Sequence, residues 1–193
     1  MGCDQSPTVP EMRPEIRPAT TDDLPSMKAI YDEQVRGGTS TFHVEPPPLS
    51  YWEDRLAADS PGEHLLVAID TRVEAGVEAG VQAGVQAGVE GAVLGYAYSS
   101  TYRPRPAYDR TRETAVYLAD EARGQGLGRA LYDDLLARLR ADDVHTVLAV
   151  VALPNPASEA LHRACGFTRV GVLPEVGRKF DRWIDTAMWV RVL

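Results

Sequence analysis

A glycine-rich heptapeptide, Arg123-Gly124-Gln125-Gly126-Leu127-Gly128-Arg129, lies between a predicted strand and a predicted helix. Glycine lets the backbone adopt positive φ angles and approach a ligand closely. The helix that follows presents unpaired backbone N–H groups and the positive end of its dipole. Together these features predict a binding site for a pyrophosphate, with Arg123 and Arg129 adding positive charge at its rim.

Two common nucleotide-binding motifs fit this heptapeptide less well. A P-loop requires Gly-Lys-Ser/Thr, which the segment lacks. Its glycines are spaced GxGxG rather than GxGxxG, and the strand–loop–helix unit falls late in the chain, without a second nucleotide-binding half. An ordinary glycine-rich turn stays open as the alternative interpretation.

The elements around this loop predict one α/β domain, with a mixed central sheet and helices packed on it. Apolar spacing places Leu127, Leu131, Leu135 and Leu139 along one stripe of the helix after the loop. The unbroken apolar run 146–151 is typical of a central strand covered on both faces. Strands are predicted at 15–19, 64–69, 92–100, 114–119, 146–151, 167–172 and 183–190, and helices from Thr20 or Thr21 to Gly37, and at 50–58, 126–140 and 156–165.

The domain is predicted to span residues 13–193, after a flexible tail at residues 1–12. Met1-Gly2-Cys3 fits the short N-myristoylation pattern, which is common by chance. Residues 73–91 repeat a VEAG or VQAG tetrapeptide, which suits neither a stable helix nor a solenoid. We interpret this repeat as a low-complexity hairpin insertion, because loop-closure entropy grows only slowly with length.

Composition excludes several classes of function. The 193 residues carry a net charge of −8, which argues against a nucleic-acid partner. No apolar run approaches the ~20 residues of a membrane-spanning helix, so we expect no membrane partner. The two cysteines and four histidines show no disulfide or metal spacing. We therefore expect no metal, a reducing cytoplasmic compartment, and a buried Cys165 rather than a nucleophile.

The heptapeptide also carries a resemblance to a known family. Arg123-x-x-Gly126-x-Gly128 resembles the acetyl-CoA pyrophosphate loop of the GNAT superfamily of N-acetyltransferases. The strand before it, the strand 146–151, Asn155 and a helix ending in Leu161-His162-x-x-x-Gly166-Phe167 follow that superfamily's order. The resemblance implies a GNAT-type fold and acetyl-CoA as co-substrate.

Within the superfamily, the chain is most similar to the phosphinothricin and methionine sulfone acetyltransferase branch, over about residues 15–191 without the repeat. The segments that carry the similarity are Ile16-Arg17-Pro18-Ala19-Thr20, Thr39-Ser40-Thr41-Phe42-His43-Val44-Glu45-Pro46, Tyr108-Asp109-x-x-x-Glu113-x-x-Val116-Tyr117, Leu153-Pro154-Asn155 and Gly177-x-Lys179-Phe180-x-x-Trp183. This branch implies a small amino-acid-like substrate such as phosphinothricin, methionine sulfone or methionine sulfoximine, and a homodimer.

The resemblance assigns the cofactor-binding residues. It places the pantetheine arm along Val116, Tyr117 and Leu118, and the pyrophosphate at the heptapeptide from Arg123 to Arg129. Asn155 matches the asparagine that contacts the pantetheine. Asn155 also has a local explanation as an N-cap before Pro156, and both roles can hold together.

The resemblance also assigns two catalytic residues. A substrate ammonium must lose a proton before its nitrogen can attack a thioester. Glu113 matches the branch's base, with a surface ion pair to Arg112 as the alternative. His162 stands where most GNAT enzymes have a tyrosine and this branch has histidine. Three roles for His162 stay open: general acid, general base, or a wall of the pocket. Tyr132 is a second hydroxyl that could reach the thiol, or could only pack on its helix.

Substrate contacts are predicted at five residues. Phe42, Tyr108 and Lys179 match branch positions near the substrate pocket. Arg103 and Arg105 stand in a proline-stiffened loop, where guanidinium groups suit a carboxylate, phosphinate or sulfone oxygen. A solvated basic loop is the alternative for these two. For the whole chain, a GNAT enzyme acting on protein amino groups and a non-catalytic acetyl-CoA-binding module stay open.

Overall fold

The computed structural model describes residues 14–71 and 91–193. The strands in these ranges are β1 (Pro14–Pro18), β2 (Leu65–Asp70), β3 (Ala92–Thr101), β4 (Thr111–Leu118), β5 (Thr146–Ala152), β6 (Thr168–Lys179) and β7 (Arg182–Val192). The helices are α1 (Leu24–Gly37), α2 (Ser50–Leu56), α3 (Leu127–Ala141) and α4 (Pro156–Ala164). These elements confirm the predicted α/β fold with one mixed sheet.

The seven strands form one sheet in the order β1-β2-β3-β4-β5-β7-β6. All neighbouring pairs are antiparallel except β4 and β5, which run parallel. The β4–β5 pairing covers only Thr111–Glu113 on β4 and Thr146–Leu148 on β5. Beyond these residues the two strands part, and a cleft opens at the centre of the sheet.

Helix α3 packs on the sheet as its leucine stripe predicts. Leu127, Leu131, Leu135 and Leu139 are all buried. Burying a leucine side chain stabilises a fold by roughly 1.5–3 kcal/mol, so the stripe fixes the helix firmly against the sheet. This packing also fixes the position of the glycine-rich loop at the N-terminus of α3.

The start of α1 differs slightly from the prediction. Thr20 precedes a 3₁₀ turn at Thr21–Asp23, and the α-helix proper begins at Leu24. The Asp23 carboxylate is buried, accepts the Thr20 backbone N–H at 2.7 Å, and pairs with Arg17 at 2.7 Å. These contacts use the acidic first turn to anchor α1 to β1.

Several strands are longer than the sequence predicts, and β4 and β6 extend furthest beyond one predicted end. β4 begins at Thr111, because its polar first residues pair with both β3 and β5. β6 continues to Lys179, whereas the predicted strand ends at Val172. Register shifts between Arg169 and Gly171 and between Leu173 and Gly177 absorb the irregularity while β7 keeps the pairing.

One central-strand prediction is wrong in detail. Residues 146–151 form β5, but Val150 is 43% exposed rather than covered. Val150 faces the cleft that opens where β4 departs, so one face of the strand is uncovered at that point. An exposed apolar side chain at the centre of a sheet is typical of the lining of a ligand-binding site.

The tail at residues 1–12 and the repeat up to residue 90 lie outside the described residues. The strands that flank the repeat, β2 and β3, are antiparallel neighbours, and Asp70 pairs with Ala92. Among the described helices, none combines the length and the apolar character needed to cross a membrane.

Candidate active site

A cleft of about 450 Å³ lies between the diverging ends of β4 and β5. Its far walls are the glycine-rich loop, the start of α3 and the helix α4. Over Ala115–Leu118, β4 pairs with β3 on one side, and the described residues provide no strand partner on the cleft side. The backbone groups of that edge are therefore available to a ligand.

The glycine-rich loop adopts the backbone that its sequence predicts. Gly124 and Gly126 have φ angles of 76° and 80°, and Gly126 caps α3 in the left-handed region. A Cβ atom added to either glycine would meet no atom within 4 Å, so both face open space. The Arg129 and Ala130 N–H groups bond the Gly126 carbonyl, and those of Leu127 and Gly128, in the first turn of α3, have no intrahelical acceptor. The loop can therefore receive an anionic group, as a pyrophosphate site requires.

Most of the predicted loop residues line the cleft together. Gly128 is buried, and an added Cβ would lie 3.1 Å from the Leu161 side chain, so glycine lets α3 pass close to α4. Gln125 instead donates its side-chain amide to the Glu121 carbonyl at 2.7 Å. The loop residues that line the cleft are Arg123, Gly124, Gly126, Leu127, Gly128 and Arg129.

The other predicted cofactor residues meet at the same cleft. Val116, Tyr117 and Leu118 form its β4 edge, and Asn155 lies at its opposite wall. The Asn155 side chain accepts the Ser158 backbone N–H at 3.1 Å, which confirms the predicted N-cap of α4. The Tyr117 ring instead stacks on Tyr96, so only its backbone can serve the cleft.

Glu113 stands where β4 and β5 part, opposite Leu148 on β5. Burial raises the pKa of the Glu113 carboxyl, and the charge of Arg55 acts in the opposite direction. Arg112 points elsewhere, because its guanidinium donates to the backbone carbonyls of Pro61, Asp109 and Thr111. The alternative of a Glu113–Arg112 surface ion pair is therefore wrong.

His162 lies on the α4 wall of the cleft with both ring nitrogens engaged. Nδ1 is 2.7 Å from the Ser158 carbonyl, which can only accept, so Nδ1 carries the proton. Nε2 is 2.9 Å from the Tyr132 hydroxyl and accepts a hydrogen bond from it. Burial lowers the pKa of His162, although the Ser158 hydrogen bond opposes this shift. His162 is therefore neutral at pH 7.

The sequence alone leaves two roles open for Tyr132, in catalysis or in helix packing. Its ring is fully buried on α3, and its hydroxyl reaches the cleft wall beside His162. Burial raises the pKa of the Tyr132 hydroxyl, so the group keeps its proton at neutral pH. Tyr132 therefore packs the helix face and also presents a proton donor to His162.

An aromatic chamber covers the face of the sheet that carries Glu113. Strand alternation places Tyr96 and Tyr98 of β3 on the same face as Glu113 and Tyr117 of β4. Side chains from α1, α2 and the loop after α1 close this chamber with edge-to-face and stacked contacts at ring distances of 5.1–6.5 Å. The chamber consists of Tyr31, His43, Tyr51, Trp52, Tyr96, Tyr98 and Tyr117.

Two predicted substrate residues lie in and beside the loop after α1. Lys179 is buried, and its ammonium donates to the Thr41 carbonyl at 2.9 Å, so it ties β6 to this loop. Burial lowers the pKa of Lys179. Phe42 packs against Gly177, where an added Cβ would lie 2.3 Å from the ring. Among the residues that line the cleft, Gln34 and Ser40 come from the same region.

Like Phe42 and Lys179, the three other predicted substrate residues stand outside the cleft lining. Arg103 and Arg105 are exposed in the segment between β3 and β4. The Arg103 guanidinium lies 5.1 Å from the Tyr102 ring, and Tyr108 packs edge-to-face on Tyr102 at 5.4 Å. This arginine loop precedes Glu113 by a few residues along the chain and stays a prediction as a substrate contact.

Sequence reasoning missed Arg55, which stacks 3.8 Å above the Tyr98 ring. It also missed Ser158, whose carbonyl sets the tautomer of His162. The tyrosine alternation at Tyr96 and Tyr98 was a usable signal for a chamber, but nothing local in α2 marks Arg55. Cys165 is buried, and burial raises the pKa of its thiol to about 11, which confirms a packing role.

Comparisons with known proteins agree with this geometry. Residues 27–167 match the acetyltransferase (GNAT) family. The chain is 40% identical over 181 residues to a phosphinothricin N-acetyltransferase of Alcaligenes faecalis, covering 92% of this chain and 82% of that protein. It is 36% identical to an L-methionine sulfoximine/L-methionine sulfone acetyltransferase of Pseudomonas paraeruginosa, covering 90% and 91% of the two chains.

A solved structure shows the same fold. A GNAT superfamily phosphinothricin acetyltransferase from Sinorhizobium meliloti, determined in complex with AcCoA, matches with a TM-score of 0.81 and 37% identity. The match covers 94% of this chain and 89% of that one. The predicted resemblance to this superfamily and branch is therefore confirmed.

The glycine-rich loop gives a first test. We expect acetyl-CoA at 100 times its Kd to stabilise the protein by about 2.7 kcal/mol, which raises the thermal midpoint by several degrees. Gly126→Glu should abolish this shift, because its side chain would enter the open space beside the loop with a negative charge. Differential scanning fluorimetry with and without acetyl-CoA measures the effect.

Gly37→Glu is the matched control. Gly37 is exposed at the end of α1, and the substitution adds the same negative charge. This control should keep the full shift. The midpoint of each unliganded variant separates backbone strain at Gly126 from lost binding. An undiminished shift in Gly126→Glu would contradict the assignment of the loop.

Proposed function

The chain belongs to the acetyltransferase (GNAT) family, and we propose that it acetylates the amino group of a small amino acid of the phosphinothricin or methionine sulfone type. The position of Glu113 carries this proposal, because a half-buried carboxylate stands where β4 and β5 part, on the face of the sheet that the aromatic chamber covers. The relatives that act on phosphinothricin and on methionine sulfoximine support the class of substrate.

The residues of the cleft fit acetyl-CoA. The open space at Gly124 and Gly126 suits a pyrophosphate, and the unpaired edge of β4 suits the amide groups of a pantetheine arm. Val116, Tyr117, Leu118 and Asn155 would hold that arm. When bound, acetyl-CoA supplies an acetyl group activated as a thioester.

We assign the proton transfers to two sides of the cleft. Glu113 accepts the proton of the substrate ammonium, because burial raises its basicity and it has no hydrogen-bond partner within residues 14–71 and 91–193. On the α4 side, the Tyr132 hydroxyl and the neutral His162 ring form a buried polar pair with one exchangeable phenol proton. We assign this pair as the proton source for a departing thiolate, with the phenol proton passing to sulfur.

The arginine loop supports an anionic substrate. Arg103 and Arg105 give a local positive charge on a chain of net charge −8. Such a loop attracts an amino acid with acidic oxygens and disfavours a basic peptide. We therefore favour a small amino acid over a protein amino group.

A thiol-release assay over a panel of acceptors tests the class of substrate. We expect acetyl-CoA-dependent release with phosphinothricin, methionine sulfone and methionine sulfoximine. A peptide with a free N-terminus and a lysine side chain should give only background release. Preference for the peptide would favour a protein acetyltransferase, and no release with any acceptor would favour a non-catalytic binding module.

Glu113→Gln tests the base. The variant keeps the size of the side chain but cannot accept a proton, so kcat should fall by about 10²–10⁴-fold. The thermal shift with acetyl-CoA should stay unchanged, because the loop and the edge of β4 are untouched. Glu53→Gln, at an exposed residue of α2, is the matched control and should keep full kcat.

His162→Ala should lower kcat less than Glu113→Gln does. The rise of the rate with pH on the acidic side of the pH profile (the acidic limb) should stay in place. A larger loss with a flattened pH profile would make His162 the base. Full kcat in Glu113→Gln would contradict the mechanism outright.

We also propose a homodimer, as the branch implies. The edge hairpin formed by β6 and β7 supports it, since apolar side chains there stay exposed in the single chain. These side chains are Val170, Val172, Leu173, Val176, Phe180 and Trp183, with exposed fractions of 40–62%. A protein face of this kind is typical of an interface.

Sedimentation velocity at micromolar concentration should report a dimer. Val176→Glu should shift the protein towards a monomer, because formation of the dimer would bury the new charge in the apolar interface. Val192→Glu is the control, since Val192 is similarly exposed but lies at the C-terminal end of β7, beyond its pairing with β6. A monomeric wild-type protein would contradict this proposal.

A further inference from the structure

Arg55 is a cation held by aromatic rings. Its guanidinium carbon lies 3.8 Å from the centroid of Tyr98 and 5.3 Å from that of Tyr51, and one Nη donates to the Tyr51 hydroxyl at 3.0 Å. Its Nε is buried without an acceptor in the described part of the chain. No carboxylate of that part lies within ion-pair distance of Arg55. The charge is therefore oriented but not neutralised.

The strand register brings this charge to Glu113. Tyr98 pairs with Ala115 across the β3–β4 ladder, and Ser100 pairs with Glu113. Tyr98 and Glu113 are thus diagonal neighbours on one face, a separation that long side chains bridge. Because Arg55 lies directly over Tyr98, it lies over the part of the sheet that carries Glu113.

The other titratable groups around this face are phenols and one imidazole. Tyr31 of α1 and Tyr98 of β3 have pKa values raised mainly by burial, so they stay uncharged at neutral pH. Tyr51 of α2 hydrogen-bonds Arg55, and His43 bonds the Tyr31 hydroxyl through Nδ1 at 2.8 Å. Tyr117 of β4 also has a pKa raised mainly by burial. The Lys179 ammonium lies outside this set, on the carbonyl of Thr41, whose hydroxyl bonds Tyr31. Arg55 supplies the positive charge that stands on the rings of the chamber.

Two opposing effects meet at the base. Burial disfavours the carboxylate form of Glu113 and raises the pKa of its carboxyl group. A nearby cation favours the carboxylate form. Arg55 is the charged group that acts on Glu113 in this direction.

We propose that Arg55 is a positioning residue that acts through Glu113: stacked on Tyr98 and tied to Tyr51, its cation holds the Glu113 carboxyl group in the ionised form that can accept the substrate's proton. This inference rests on the proposed function, in which Glu113 is the base. It assigns no contact between Arg55 and substrate.

Arg55→Gln tests the charge while keeping a side chain that can bond the Tyr51 hydroxyl. We expect the acidic limb of the kcat/KM profile to move up by about one pH unit, because the lost cation no longer favours the carboxylate. The loss of kcat/KM should approach about tenfold at pH values below the limb and vanish at pH values above it. Arg55→Lys keeps the charge and should restore most of the wild-type profile.

Two controls separate this shift from other effects. Arg140→Gln, at an exposed site in the last turn of α3, makes the same change in net charge and should leave the limb in place. The pH profile is also measured with two acceptors whose amines differ in pKa. A limb that reflects the acceptor's amine moves when the acceptor is changed, whereas a limb that reflects Glu113 stays in place. Carbon-13 NMR titration of the Glu113 carboxyl in the free protein should show the same upward shift in Arg55→Gln.

The outcomes distinguish this inference from the function on which it rests. If Glu113→Gln loses activity but Arg55→Gln leaves both the limb and the NMR titration unchanged, the role of Arg55 is wrong and the base assignment stands. If Glu113→Gln stays fully active, the base assignment itself fails. A raised KM that is independent of pH, and specific to acceptors with a free carboxylate, would make Arg55 a substrate contact and overturn the proposal.

Discussion

The parting of β4 and β5 is the constraint on which the site depends. Parallel strands that stay paired satisfy each other's backbone groups and leave no room for a ligand. Here the pairing ends at Glu113 and Leu148, and the cleft begins there. The backbone of the following β4 residues needs new partners, and an extended arm with amide groups can provide them. The parting of the two strands thus leaves an open backbone edge at the centre of the sheet.

The same strand serves two surfaces because side chains alternate across a sheet. One face of β4 presents Glu113 and Tyr117 to the aromatic chamber, and the other presents Thr114, which is buried beneath α3 and bonds the Leu148 carbonyl at 3.1 Å. The aromatic chamber and the cleft therefore share one strand of the sheet. Their relative position is set by the pleat of the strand rather than by mobile loops.

Buried titratable groups are treated differently across this site. His162 is kept neutral by burial, and its tautomer is set by the Ser158 carbonyl. Lys179 keeps its ammonium among backbone carbonyls and holds the loop after α1 in place. Glu113 has neither an ion-pair partner nor a hydrogen bond in the described residues, and Arg55 acts on it only at a distance. A carboxylate left free in this way is available to react.

The sequence by itself determined the α/β class, the glycine-rich loop, the N-cap at Asn155 and the buried stripe of α3. Each of these depends on local rules of backbone conformation, capping or helical period. Only the tertiary structure decided that Arg112 turns away from Glu113, that Tyr132 bonds His162, and that Arg55 stands over Tyr98. These contacts join residues from different elements, in which neither partner carries a local signal of the other. Their geometry follows from strand register and helix packing, which are fixed only when the whole sheet has formed.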